Sequence, residues 1–186
     1  LSKLPTLKKK TKAGGHWYTT EKKDYDYVTS RIADAMTDKQ EQFGRIMRMR
    51  ALMDYTTKEL YVKGLLKNTN DKCIVFANTM KQADRICKYS YHSKNKKSDE
   101  NLELFSDGRI NSLSCVLQLS EGISISNLKQ GIIMHAYGNE KKTAQRIGRL
   151  LRFNPTETAT CHILCYKGTQ DASWVKSSLK GFDQNK

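Results

Sequence analysis

Cys73-Ile74-Val75-Phe76-Ala77 is an unbroken apolar run, set between the polar stretch Asn68-Thr69-Asn70-Asp71 and Asn78-Thr79. A strand that is apolar on both faces has to be covered on both, which happens in parallel sheets flanked by helices. The rest of the chain agrees with that constraint. Asn78 or Thr79 can cap a helix whose Met80, Ala83, Ile86 and Cys87 face inward. Tyr89–His92 reads as a short second strand, followed by the basic loop Lys94-Asn95-Lys96-Lys97. Ser98 is placed to cap a helix carrying Leu102, Leu104 and Phe105, and Gly108 to stop it. Leu113–Leu119, Gly131–His135 and Ala159–Tyr166 complete the strands, and Asp171 is placed to cap a last helix with Trp174, Val175 and Leu179. Strands alternating with helices predict an α/β fold: a parallel sheet, right-handed crossovers, and helices on both faces. In such sheets ligands bind beyond the carboxyl ends of the strands, so the segments that follow strands are where chemistry is to be sought.

The N-terminal third has a different period. From about Lys23 the pattern is helical and interrupted: Tyr25, Val28, Ile32, Ala35 and Met36 form one apolar face, Phe43, Ile46, Met47, Met49 and Leu52 another, and Leu60, Leu65 and Leu66 a third. Met36, Met47, Met49 and Met53 fit as flexible core filler, and Arg45, Arg48 and Arg50 as a solvated face. Residues 1–22 begin with lysines at 3, 8, 9, 10 and 12 and read as a basic arm or linker. The expected organisation is therefore an arm over 1–22, a helical segment over 23–70, a sheet domain over 71–180 and a tail over 181–186. The chain opens on Leu1 rather than Met, as a fragment or processed product would.

With 33 Lys and Arg against 19 Asp and Glu, the formal charge is +14, which favours a polyanionic partner such as nucleic acid or anionic lipid. No apolar run approaches the roughly 18 residues of a membrane span, and no signal-peptide core is evident. The expected location is intracellular: cytoplasmic for a bacterial or viral chain, with the nucleus as the alternative. Cys73, Cys87, Cys115, Cys161 and Cys165 sit in apolar segments without a C-x-x-C pair and read as reduced core thiols, with no metal site expected.

Near the C-terminal end, Gln145-Arg146-Ile147-Gly148-Arg149-Leu150-Leu151-Arg152 concentrates arginines on a helical repeat. At about 100° per residue, Gln145, Arg149 and Arg152 share one face. A solvated basic face is the plain reading. Against it, Gly148 costs a helix interior about 1 kcal/mol relative to Ala, which points to close approach by something else. Guanidinium forks suit phosphate, and arginines supplied across an interface stabilise phosphoryl transfer.

In order, Ile74–Thr79, Tyr91-His92-Ser93, Leu104–Gly108, Leu119-Ser120-Glu121-Gly122-Ile123-Ser124-Ile125 and Gln145–Arg152 resemble the successive motifs of the second, C-terminal RecA-like domain of superfamily 2 helicases. The resemblance runs from about Lys72 to Trp174, and within the superfamily is greatest to DNA-directed helicases and translocases related to phage branch-migration and restriction-enzyme motor subunits. It implies a RecA-like sheet preceded by a helical segment. Arg149 and Arg152 match arginine fingers that reach the γ-phosphate of ATP held by an N-terminal RecA-like domain, with Mg²⁺ also held there. Gln145 and Arg146 match positions contacting the nucleotide or that domain's acidic motif, and Gly122 the glycine whose backbone lies near the phosphates. Ser124 stands where many relatives carry a ribose-binding Asp. Asn78, Thr79, His92, Ser93 and Ser120 match positions lining a nucleic-acid track, to which Lys94, Lys96 and Lys97 would add phosphate contacts. For Thr79 and Ser120 a local backbone cap, and for His92 a satisfied turn histidine, are equal alternatives.

No G-x-x-x-x-G-K-[ST] loop and no D-E-x-[DH] tetrad occurs in these 186 residues. The expectation is thus one half of an ATP-dependent helicase or translocase acting on nucleic acid, DNA by the resemblance. The N-terminal domain would come in cis or from another chain, and this chain alone would be inactive. The alternatives are an ATPase-inactive nucleic-acid-binding or regulatory subunit with a helicase-like fold, and a scaffold for an acidic protein.

Overall fold

The computed structural model describes residues 1–4, 6–11, 13–116, 125, 127–136 and 159–180. The chain divides into two compact units, Leu1–Thr57 and Lys58–Lys186.

In the first unit, β1 (Leu7–Lys10) and β2 (His16–Thr19) pair antiparallel, Leu7 opposite Thr19 and Lys10 opposite His16. Gly14, at φ +82°, supplies the left-handed residue of the turn. The strands at 7–10 and 16–19, read from sequence as part of a basic arm, therefore form a hairpin. Helices α1 (Glu21–Ala33) and α2 (Asp38–Asp54) follow, and Thr20 and Thr37 cap them by accepting from the backbone N–H of Lys23 and Gln40. A Cβ on Gly44 would stand 2.8 Å from the Ile32 side chain, so α2 approaches α1 where its side chain is smallest. That approach sets the phase of α2: Gly44 and Leu52 are buried, while Phe43 is 64% and Met36 92% exposed. The expected inward face through Phe43, Ile46 and Met47 is thus displaced by one residue, and Met36 and Met47 are not core filler.

In the second unit, α3 (Thr57–Lys67) leads into a five-stranded, all-parallel sheet in the order β4-β5-β3-β6-β7. Its strands are β3 (Cys73–Ala77), β4 (Ser90–Tyr91), β5 (Ser112–Val116), β6 (Gln130–Ile133) and β7 (Thr160–Ile163). The central strand is the unbroken apolar run, buried throughout. Its alternate side chains enter two cores. Ile74 and Phe76 pack with Leu102 and Phe105 of α5 (Ser98–Ser106), and with Leu113, Cys115 and Ile133. Cys73 and Val75 pack with Val62 of α3, Ile86 of α4 (Met80–Ile86), Ile132 and Met134. The expected RecA-like arrangement, a parallel sheet covered on both faces, is the observed one. Leu60, assigned inward from sequence, is exposed, and Val62 takes its place.

Two predicted caps are corrected. Lys97, not Ser98, occupies the cap position of α5, and the Ser98 hydroxyl instead donates to the His92 carbonyl at 2.7 Å. Thr169 caps α6 (Gln170–Ser178), accepting from the Asp171 N–H, and Asp171 turns inward to another task. Gly108 ends α5 at φ +74°, as its sequence position predicts. Cys73, Cys87 and Cys115 are buried free thiols, burial pushing Cys73 up to about 12 and Cys87 to about 11; Cys165 is exposed rather than in the core. Among the described residues no helix is long and apolar enough to cross a membrane.

Candidate nucleic-acid interface and strand-end clamp

The carboxyl ends of β3, β4 and β5 converge on one edge of the second unit. A groove of about 580 Å³ there is lined by Met80, His92, Ser93, Asn95, Asp99 and Val116, among others. Asn78 leaves the central strand at this edge. Its backbone N–H donates to Gln82 Oε1 at 3.0 Å, but its side-chain Oδ1 and Nδ2 are both shielded from solvent and have no hydrogen-bond partner among the described residues. A carboxamide with neither end satisfied is costly, and native structures reserve such groups for a ligand, water or strain. Thr79 is committed differently: its Oγ1 caps α4 by accepting from Gln82 N–H at 3.1 Å. The local-cap reading of Thr79 accounts for its hydroxyl lone pair.

His92 is buried, with Nε2 2.9 Å from Asp84 Oδ1. Its Nδ1 is shielded and unpartnered. Hydrogen bonds from Ser90 and then His92 hold the Asp84 carboxyl below the usual carboxylate range, so Asp84 is ionised near neutral pH. An Nε2–H of His92 can donate to the Asp84 carboxylate, and nothing in the described chain partners Nδ1. His92 is therefore half satisfied, between the two readings its sequence position allowed.

The loop after β4 is braced from within. Asn95 donates to the Ser90 carbonyl at 2.8 Å and accepts from Lys97 N–H at 3.0 Å, and Asn101 donates to the same Ser90 carbonyl at 2.9 Å. Those bonds leave Ser93, Lys94, Lys96 and Lys97 exposed on a held backbone. The structure thus gathers Asn78, Thr79, His92, Ser93 and the three lysines at the carboxyl edge. Ser120, Gly122, Ser124, Gln145, Arg146, Arg149 and Arg152 lie outside the described residues.

A second constellation was missed in the sequence. The Lys58 ammonium at the start of α3 sits 2.5 Å from Asp171 Oδ2 and 3.0 Å from His135 Nδ1, and donates to the carbonyls of Met134 (2.8 Å) and Leu164 (3.1 Å). Those carbonyls stand just past the ends of the neighbouring strands β6 and β7, so one buried cation ties both strand ends together. Asp171 also accepts from Tyr166 N–H at 2.9 Å, and the Lys58 ammonium lies 4.9 Å from the Tyr166 ring centre. Burial lowers Lys58, partly offset by Asp171. For Asp171 burial acts upward, but the His135 ring and the Lys58 charge outweigh it and hold the carboxyl below its ordinary value. No spacing signal marks a lone lysine as buried, and Asp171 resembled a helix cap.

A parallel sheet of this order with a polar carboxyl edge defines a class, and comparison with known proteins gives its family. Residues 52–154 match the helicase conserved C-terminal domain, and the chain belongs to that family. It is 31% identical over 108 residues to the DNA 3'-5' translocase XPB2 of Sulfurisphaera tokodaii, a match covering 55% of this chain and 24% of that protein. The chain thus spans about a quarter of this relative's length. Among solved structures, it is similar to the C-terminal domain of the DEAD-box protein Dbp5, with TM-score 0.55 and 18% identity over 72% of this chain and 83% of that one. It is also similar to the E. coli DEAD-box protein SrmB, with TM-score 0.54 and 18% identity over 65% and 76%. At that identity the two structures speak for the fold.

Proposed function

We propose that this chain is the C-terminal motor half of an ATP-dependent nucleic-acid helicase or translocase, working with an N-terminal RecA-like domain in the same polypeptide or in another chain. Asn78, Thr79, His92, Ser93, Lys94, Lys96, Lys97 and Ser120 line the strand track. Arg149 and Arg152 face the transferring phosphoryl group, while Gln145, Arg146, Gly122 and Ser124 contact the nucleotide or the opposing domain. ATP supplies the phosphoryl chemistry when bound, with Mg²⁺ held by the other domain. This chain's share is to place positive charge against the developing negative charge. DNA is favoured over RNA by the related translocase.

The observation that carries the track is Asn78: a side-chain amide with both polar atoms shielded and, among the described residues, unpartnered, at the carboxyl end of the central strand. Bases and sugar-phosphate offer the donors and acceptors it lacks. The Asn78→Ala chain, which loses no internal side-chain bond, should melt within about 0.5 kcal/mol of the parent while binding single strands roughly five- to tenfold more weakly, the value of one hydrogen bond. Replacing Lys94, Lys96 and Lys97 by Gln should reduce the slope of log affinity against log salt by about 2, at roughly 0.7 per phosphate contact. Anisotropy titrations with single-stranded DNA and RNA read both effects. Unchanged affinity for Asn78→Ala together with an unchanged salt slope would remove the track from this edge.

A further inference from the structure

The hairpin of the first unit has two chemically distinct faces. Side chains alternate along each strand. Lys9 is partly buried, its ammonium 2.9 Å from Asp24 of α1, and shares its face with buried Thr19 and with Trp17, which is 49% exposed. Lys8, Lys10, His16 and Tyr18 take the other face, and all four are exposed, Tyr18 at 61%. The register sets Lys8 directly across from Tyr18 and Lys10 across from His16. Cross-strand partners stand within about 5.5 Å at Cβ, and residues two apart on a strand about 7 Å. The result is one face that carries two aromatic rings and two ammonium groups at paired positions. Among the described residues neither Lys8 nor Lys10 has an ion pair, and no acidic residue occurs before Glu21.

We infer that this outward face is a second contact for single-stranded nucleic acid, Tyr18 and His16 offering ring faces to bases while Lys8 and Lys10 hold the backbone phosphates. Charge complementarity selects the occupant: a surface bearing only cations and rings fits a polyanion with exposed π-faces. Double helices hide those faces, so Tyr18 favours an unpaired strand. The inference rests on the reading of this chain as a nucleic-acid-binding protein but uses a unit and residues separate from the sheet edge.

The test uses the whole 186-residue chain and a labelled short oligothymidylate. Tyr18→Ala should weaken binding roughly five- to 150-fold with little change in salt slope, and Tyr18→Phe should retain it, because stacking needs the ring and not the hydroxyl. Lys8→Gln with Lys10→Gln should reduce the salt slope by about 1.4. Unaltered thermal melting of these surface variants separates binding from folding. Tyr18→Ala binding within twofold of the parent overturns the inference, as does parent-like affinity after loss of both lysines. If the variants at Asn78, Lys94, Lys96 and Lys97 lose binding and the hairpin variants do not, the sheet-edge reading stands and this one fails. The opposite pattern keeps the hairpin and removes the sheet edge. A parent chain that binds no single strand overturns both, and binding of an acidic protein alone would do the same.

Discussion

Lys58→Met should destabilise the second unit by about 3 to 5 kcal/mol. The replacement fills similar space but leaves the Asp171 carboxylate, fully buried, without its counter-ion, and an uncompensated buried charge is what makes broken pairs costly. It also strips the Met134 and Leu164 carbonyls of a shared donor. Replacing Asp171 at the same time should recover much of the loss: in Lys58→Met with Asp171→Leu no charge remains to be paired, so the two effects are strongly non-additive. Denaturant unfolding of the parent, both single variants and the double variant measures the coupling. The same cluster gives an acid dependence. Protonating Asp171 is harder in the folded chain than in the unfolded one, because its folded value lies below the ordinary 3.8. Folded protein therefore binds fewer protons in that window, and the contribution of Asp171, complete above about pH 4, is lost as pH falls through the folded value. The Asp171→Asn chain should lack that part of the acid transition. Additive effects of Lys58 and Asp171 would show that they do not act as a pair.

Arg149→Ala, in an enzyme that joins this chain to its motor partner, should reduce ATP turnover by roughly 10³- to 10⁵-fold, or about 4 to 7 kcal/mol of transition-state stabilisation. The reason is electrostatic. A guanidinium that meets the phosphoryl group only as the site closes interacts more strongly with the transition state than with bound nucleotide, so turnover falls while nucleotide affinity changes far less. Arg149→Lys should rescue little, because an ammonium lacks the planar fork. The arginine segment lies between β6 and β7 in the chain, and Lys58 ties the ends of those two strands.

The sheet was legible because its central strand has no polar residue to place on either face, and Gly108 was legible because its positive φ suits few other residues. The hairpin was not. Leu7-Lys8-Lys9-Lys10 carries no apolar alternation, and the contact that holds Lys9 to Asp24 joins residues 15 apart. The phase of α2 was misread because Phe43, Ile46 and Met47 outweigh Gly44 in hydrophobicity, whereas packing is decided by how closely Gly44 lets α1 approach. At the sheet edge, sequence brought Asn78 and His92 to notice through motif order alone. Only the coordinates distinguish Asn78, whose side chain is unsatisfied, from Thr79, whose hydroxyl caps a helix. The Lys58 cluster depends on three segments distant in sequence, which no local pattern reveals.

The most direct measurement is steady-state ATP hydrolysis by this chain alone and by the enzyme joining it to an N-terminal RecA-like domain, each with and without single-stranded DNA. The expected result is background hydrolysis by the chain alone and strand-stimulated hydrolysis by the joined enzyme, abolished by Arg149→Ala. Strand-stimulated hydrolysis by the chain alone, or near-parental turnover in the joined Arg149→Ala enzyme, would contradict the assignment of this chain as the arginine-supplying half of a shared site.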